Sequence, residues 1–329
     1  MDWLQAIVPL AIFLIGLEAP RPLLAWLRRR DFLDRPVARS SHTAPVPRGG
    51  GIVVVALIVV GWLVLALSGH APRAAMGIGI LALCLGVVCW RDDRTALSIG
   101  PRLLAQLVAC GVGLAFLPDH VFQNLVPPSW DRVASLAIWL WFVNLYNFMD
   151  GIDGITGTET GAIGIGLALV TLSGAVNADL AGLALAAAAS ALAFLRWNRH
   201  PAQLFLGDVG SVPLGYVMGW LLLDAAARGY WASALILPLY YLADATITLA
   251  RRALAGKAFW LSHREHFYQR ALAPDNDHRP VLRMVLAGDT VLIALAISAL
   301  LYPAAALVLA ILTTALLLIA LQARAKRAS

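Results

Sequence analysis

Hydrophobic residues fill 60% of the 329 positions, charged residues only 13%, and the mean hydropathy is +0.77. A water-soluble domain carries about a quarter charged residues, so the composition excludes a soluble enzyme and describes an integral membrane protein with no nucleic-acid partner expected. The formal charge of +6 is informative through its distribution among the loops.

In chain order, the start "MDWLQAIVPLAIFLIGLEAP" has no basic residues ahead of its apolar run. It reads as a retained first span that starts outside, not as a cleaved signal peptide. A window of roughly 20 apolar residues gives eleven candidate spans, near 3–26, 50–68, 74–90, 103–118, 132–149, 156–174, 179–196, 210–227, 231–250, 283–300 and 303–321. The first is interrupted at Pro20 and Pro22, and the count falls to ten if 156–174 is re-entrant. The expected fold is therefore all-α: one polytopic transmembrane helix bundle, residues 1–329, forming a single domain. Cys84, Cys89 and Cys110 lie within apolar runs and have neither metal-ligand nor disulfide spacing.

Lysine and arginine mark the cytoplasmic side. Alternating the eleven spans puts 21 of them in segments 27–49, 91–102, 150–155, 196–209, 251–283 and the tail, against 3 on the other side. This predicts an external N-terminus and a cytoplasmic C-terminus. The polar segments share the cytoplasmic face, so the five loops are expected to form an active site.

The loop "DRPVARSSHTAPVPRGGG", residues 34–51, carries Arg35, Arg39, His42 and Arg48. Its prolines and glycines exclude regular structure, and basic charge there is expected on topology alone. In "RDDR", Asp92 and Asp93 repel each other and favour a cation or a shared proton, unless Arg91 and Arg94 neutralise them. In "NLYNFMDGIDGITG", Asn144, Asn147, Asp150 and Asp153 fall three apart, as neighbours on a helix surface. Carboxylate and amide oxygens suit a hard divalent cation, and the alternative is a solvated helix end. "LFLGDVGSVPLG" sets Asp208 at a helix start, either as an N-cap or beside a phosphate-binding N-terminus. "SHREHFYQR" offers His263, Arg264 and His266 to an anionic group, or else lies in the membrane interface. Glu18 and Asp244 lie within spans and read as structural ion pairs, the latter with Arg251 or Arg252.

In this order and on one face, the segments resemble the polyprenyl-phosphate N-acetylhexosamine-1-phosphate transferases, the glycosyltransferase family 4 type, from about Asp34 to Arg270. The resemblance implies that a membrane polyprenyl phosphate, undecaprenyl phosphate in bacteria, attacks the β-phosphorus of a UDP-N-acetylhexosamine and releases UMP, with Mg²⁺ (or Mn²⁺) required. It implies Asp208 as the leading metal ligand, joined by Asn147, and Asp150 and Asp153 in donor binding or the metal shell. Asp92 and Asp93 would deprotonate or orient the lipid phosphate, with Arg102 binding phosphate. Asn144, His42, Arg48, His263, Arg264 and His266 would complete substrate binding. Ser40 departs from several relatives with Arg-Lys before the histidine, which removes the basis for a phosphate contact there, and "HFYQR" departs from those with further histidines; the chain looks like the O-antigen-initiating branch and not the muramoyl-pentapeptide branch. The expected setting is the bacterial inner membrane, with the site facing the cytoplasm and a homodimer as one assembly. The rival readings are a Mg²⁺-dependent prenyltransferase, whose repeated DxxxD spacing is missing, and a secondary transporter, whose polar site would sit at mid-membrane.

Overall fold

A computed structural model describes residues 2–36, 44–95, 97–174, 179–258, 261, 263–272 and 277–328. The first rod is α1 (Trp3–Gly16) followed by α2 (Pro20–Arg29). Asp2 caps α1 by accepting the Leu4 N–H, while Gln5 Oε1 accepts the Asp2 N–H, a reciprocal capping box. Pro20 occupies the first turn of α2, where its missing N–H costs nothing. The proline expected to interrupt the first span thus begins its second half.

A two-residue antiparallel ladder, β1 (Leu33–Asp34) with β2 (Val46–Pro47), follows. It is a short piece of regular structure where none was expected. The bundle continues with α3 (Gly51–Leu67), α4 (Ala74–Thr95), α5 (Ile99–Gly113), α6 (Pro128–Phe148), α7 (Ile155–Ser173), α8 (Asp179–Asn198) and α9 (Asp208–Ala225). The last elements are α10 (Trp231–Ile236), α11 (Leu239–Leu254), α12 (Phe267–Arg270), α13 (Arg279–Ser298) and α14 (Pro303–Ala328).

Among the described residues, eight helical stretches are long and apolar enough to cross a membrane. The difference from eleven has identifiable causes. Helix α9 runs through a π-helical turn, Ala226–Tyr230, into α10, giving one apolar stretch Asp208–Ile236. Helix α3 is apolar but has 17 residues. Helix α11 has 16 and carries Asp244, Arg251 and Arg252, and α6 begins with Asp131 and Arg132 and ends among asparagines.

Helix α9 is the centre: every residue from Val209 to Ala225 is buried. Helices α3, α4, α6, α7 and α8 pack against it. The periphery exposes large apolar side chains, such as Leu104 and Val108 on α5 and Leu316 and Ile319 on α14, as a lipid-facing surface does. Two buried indole N–H groups find carbonyls, since an unpaired polar group in hydrocarbon is costly: Trp139 Nε1 donates to Tyr216 O at 2.9 Å and Trp62 Nε1 to Leu183 O at 3.0 Å. Glu18 pairs with Arg21 and Arg196, the structural role expected of it. At the far end of α9, Arg228 joins Asp224 and Asp179.

Candidate active site

At the start of α9 the backbone is threaded through the N-terminal loop. Gly49 and Gly50 both donate N–H bonds to Phe205 O (3.1 and 2.8 Å), Gly51 N–H reaches Leu206 O at 2.9 Å, and Phe205 N–H returns to Pro47 O at 2.8 Å. This approach demands glycine. A Cβ on Gly51 would lie 2.1 Å from the Cα of Gly210, and Gly207 has φ +76°, a conformation that side chains oppose. The "RGGG" and "LGDVG" runs are thus two halves of one joint, which aims Arg48 at Asp208.

The side chains there form an alternating network. Asp208 accepts from Arg48 Nη2 at 2.5 Å and from Arg102 Nη2 at 3.1 Å. Arg48 Nη2 also lies 2.9 Å from Asp93 Oδ1, and Arg102 Nη1 2.9 Å from Asp92 Oδ2. The adjacent aspartates therefore share no cation. Each takes its own arginine, Asp92 from the next helix (Arg102 on α5) and Asp93 from the N-terminal loop (Arg48), in place of Arg91 and Arg94. Asp92 further accepts the Leu97 N–H at 2.7 Å, shaping the turn into α5, while Asp93 accepts the Val209 N–H at 3.4 Å at the head of α9. Asp208 is the first helical residue after the Gly207 cap, and its side chain makes no capping bond. Three carboxylates thus face two guanidiniums. Burial opposes the Arg48 charge, but Asp208 and Asp93 outweigh it and hold the guanidinium protonated far above physiological pH.

The donor atoms here are oxygens, and so fit a hard divalent ion. Asn147 is close by, with its Oδ1 accepting from Ser211 Oγ at 2.6 Å, one turn into α9. Asn144 faces α5, donating to Gln106 Oε1 at 2.8 Å and to Leu140 O at 2.7 Å. The expected four-residue helical stripe is cut short, because α6 ends at Phe148. Asp150 and Asp153 lie in the turn beyond and diverge. Asp150 Oδ1 accepts from Thr156 Oγ1 at 2.7 Å. Burial raises the Asp150 carboxyl to about 6, against the Thr156 bond that lowers it, with the Asp208 charge adding to the rise. Asp153 instead turns toward His200 Nδ1, 2.8 Å away, the Ala202 N–H at 3.0 Å and His278 Nδ1 at 3.3 Å. Burial would raise its carboxyl too, but the His278 and His200 contacts hold it below the ordinary carboxylate value.

The segment 263–268 is anchored from beneath by Asp244. That carboxylate accepts the N–H groups of Phe267 (3.0 Å) and Tyr268 (3.2 Å) and lies 3.2 Å from His266 Nδ1. Asp244 was expected to pair with Arg251 or Arg252; Arg252 goes instead to Glu265 and to Ala258 O. The His266 ring is 2% exposed, held inward by this anchor. His263 stacks on it at 4.9 Å. Burial, then the neighbouring His266 and Arg252, depress His263 to about 4, so without substrate it is neutral at pH 7. Arg264 is half-buried beside them. Tyr268 OH donates to Phe148 O at 3.2 Å, docking this segment on the α6–α7 turn.

Of the expected site residues, Asp92, Asp93, Arg48, Arg102 and Asp208 meet directly, and Asn147 joins α9 through Ser211. Asn144, Asp153 and His266 are engaged elsewhere, and His42 lies outside the described residues. Sequence reading missed His200, His278, Gln106 and Ser211. The two histidines stand 47 and 125 positions from Asp153, with no local spacing to join them; Ser211, three positions past Asp208 in the same motif, was available.

Residues 74–226 match the family described as glycosyl transferase family 4. The chain is 30% identical, over 78% of its length and 74% of the relative's, to a probable undecaprenyl-phosphate N-acetylglucosaminyl 1-phosphate transferase of Bacillus subtilis (strain 168). It is 25% identical to a decaprenyl-phosphate N-acetylglucosaminephosphotransferase of Mycobacterium tuberculosis (strain ATCC 25618 / H37Rv), covering 85% of this chain and 78% of the other. It is 29% identical to a phospho-N-acetylmuramoyl-pentapeptide-transferase of Synechococcus sp. (strain RCC307), covering 55% of each.

Proposed function

The chain belongs to glycosyl transferase family 4, and on that footing we propose that it moves an N-acetylhexosamine 1-phosphate from a UDP-sugar to a polyprenyl phosphate, undecaprenyl phosphate in bacteria, with release of UMP. The observation that carries this reading is Asp208 held between Arg48 and Arg102 at the mouth of the central helix. A diphosphate donor needs positive groups and a hard cation together, because phosphoryl transfer is mainly positioning and charge neutralisation.

Asp208, with Asn147 and Ser211 beside it, offers the oxygen ligands for Mg²⁺, or for Mn²⁺ in its place. The bound ion would neutralise charge on the transferring phosphoryl group. Arg48 and Arg102, both one-third exposed or less, exchange carboxylate partners for phosphate oxygens as substrate enters. Asp93 faces Arg48 and the α9 N-terminus, where it can take a proton from, or orient, the incoming lipid phosphate. Asp92 fixes the α4–α5 turn and aims Arg102. Asp150, raised toward neutrality, is suited to the donor side.

The basic-residue bias of the sequence, counted over eleven alternating spans, supports a site on the cytoplasmic face of a bacterial inner membrane, where UDP-sugars are available, and on this reading the reaction is the first step of O-antigen or a related envelope glycan. The test is UMP release by detergent-purified protein with Mg²⁺, undecaprenyl phosphate and a panel of UDP-N-acetylhexosamines. UMP formed only when lipid phosphate is present supports the reading; no UMP from any donor with folded protein overturns it.

A further inference from the structure

We propose that Asp153, His200 and His278 form a second metal site, for a transition cation of the Zn²⁺ class, separate from the oxygen-lined centre at Asp208. The three residues come from three connections: the α6–α7 turn, the segment before α9, and the residue preceding α13. Their ligand atoms, one carboxylate oxygen and two imidazole nitrogens, all lie within 4.8 Å of one another. Asp153 Oδ2 is 2.8 Å from His200 Nδ1 and 3.3 Å from His278 Nδ1, and the two rings stand 4.3 Å apart. Asp153 and His278 are buried and His200 is 21% exposed, leaving one side open for an ion to enter.

His278 Nδ1 accepts the Asp153 N–H at 3.1 Å and lies 3.3 Å from Oδ2. A cation bound between Oδ2 and the two imidazole nitrogens would use lone pairs that already converge on one point.

The ligand chemistry selects the ion. Zn²⁺ takes histidine nitrogen and carboxylate oxygen at about 2.0–2.2 Å, which sets tetrahedral ligands about 3.3–3.6 Å from one another, so the 3.3 Å spacing to His278 already fits and the 2.8 Å spacing to His200 must open slightly. Mg²⁺ prefers oxygen and water, and two imidazoles disfavour it. The Ala202 N–H on Oδ2, at 3.0 Å, orients the carboxylate as an outer-shell partner. An ion here staples three loops that border the Asp208 centre, so its effect is on their stability and not on the transfer chemistry.

The test uses the full-length protein in detergent with excess Mg²⁺, titrated with ZnCl₂ against a chromophoric chelator. Bound zinc is counted by elemental analysis and the melting midpoint is followed. The expectation is about one zinc per chain and a midpoint that rises with zinc, as binding to the folded state requires. Both should be lost in His200→Ala and His278→Ala. Should those variants fail to fold, Co²⁺ added to the unaltered protein decides: a visible spectrum without a thiolate charge-transfer band supports the site, and no Co²⁺ spectrum overturns it. A folded protein that takes up no zinc, or equal uptake in both histidine variants, also overturns it. Asp208→Asn should bind zinc normally, so failure of the transferase reading leaves this result untouched.

Discussion

Replacing Asp208 by asparagine separates catalysis from folding in this site. The carboxylate is the middle member of the chain Asp92–Arg102–Asp208–Arg48–Asp93. Its removal takes one carboxylate from between the two guanidiniums and, on the proposed assignment, the leading metal ligand. Two unit charges about 4 Å apart interact by about 4 kcal/mol at an effective dielectric of 20, and charge loss at a transition state shows most of such a contribution. Turnover should therefore fall by about 10²–10³, equivalent to ~3–4 kcal/mol. The fold should survive, because neither arginine is orphaned: Arg48 keeps Asp93 and Arg102 keeps Asp92, each at 2.9 Å. Asparagine retains one acceptor but turns an amide N–H toward the second guanidinium, which costs about 1–2 kcal/mol and a few degrees of melting midpoint. The assay is UMP release at saturating Mg²⁺ and both substrates, with melting followed on the same preparation. Turnover within tenfold of the unaltered protein, at an unchanged midpoint, would refute the assignment.

Asp92 and Asp93 should differ: Asp93→Asn removes the carboxylate proposed to face the lipid phosphate and should lower turnover with the melting midpoint nearly kept, whereas Asp92→Asn acts chiefly on the midpoint through Leu97 and Arg102. Equal effects of the two variants on turnover and midpoint would contradict this division. Gly51→Ala forces a Cβ against the Gly210 backbone, so stability should fall by the upper end of overpacking costs, ~3 kcal/mol, read as a lower melting midpoint; an unchanged midpoint contradicts the joint. The Asp150 carboxyl is raised from 3.8 to about 6, so its contribution to stability is fully present below the unfolded value and is lost as pH rises through about 6. In Mg²⁺-free buffer, Asp150→Asn should flatten the fall in midpoint between pH 4 and 7 (about the interval set by that shift), and an identical slope counts against it. In a cysteine-free background, a cysteine at Ser98 should label only from the cytoplasm and one at Gln123 only from outside; the reverse pattern breaks the shared face.

The helical membrane character was legible because apolar runs of helix length have few other solutions. The motif order likewise identified Asp92, Asp93, Arg48, Arg102 and Asp208, each beside glycine, proline or like charge that marks a loop or a helix end. What sequence spacing could not give was which arginine answers which aspartate, because Arg91 and Arg94 are nearer in the chain than Arg48 and Arg102. The three-residue step of Asn144, Asn147, Asp150 and Asp153 misled for a related reason: "MDGIDG" ends the helix after Phe148 and sends the last two acids to different partners. Asp244 was misassigned because a buried carboxylate can be satisfied by backbone N–H groups, which have no signature in the sequence.

The bond between Arg48 and Asp208 spans 160 residues, which bears on how the protein is made. At about 5–20 residues per second, Arg48 emerges from the ribosome roughly 10–30 s before its partner exists. Throughout that interval the nascent chain holds α3 with an unfilled glycine face and a guanidinium without its central acid. Only the insertion of α9 closes the joint, supplying the carbonyls of Phe205 and Leu206 and the carboxylate of Asp208 in one event. On the proposed assignment, catalytic competence would therefore report that the central helix has reached its place, and a chain truncated before residue 208 should lack transferase activity.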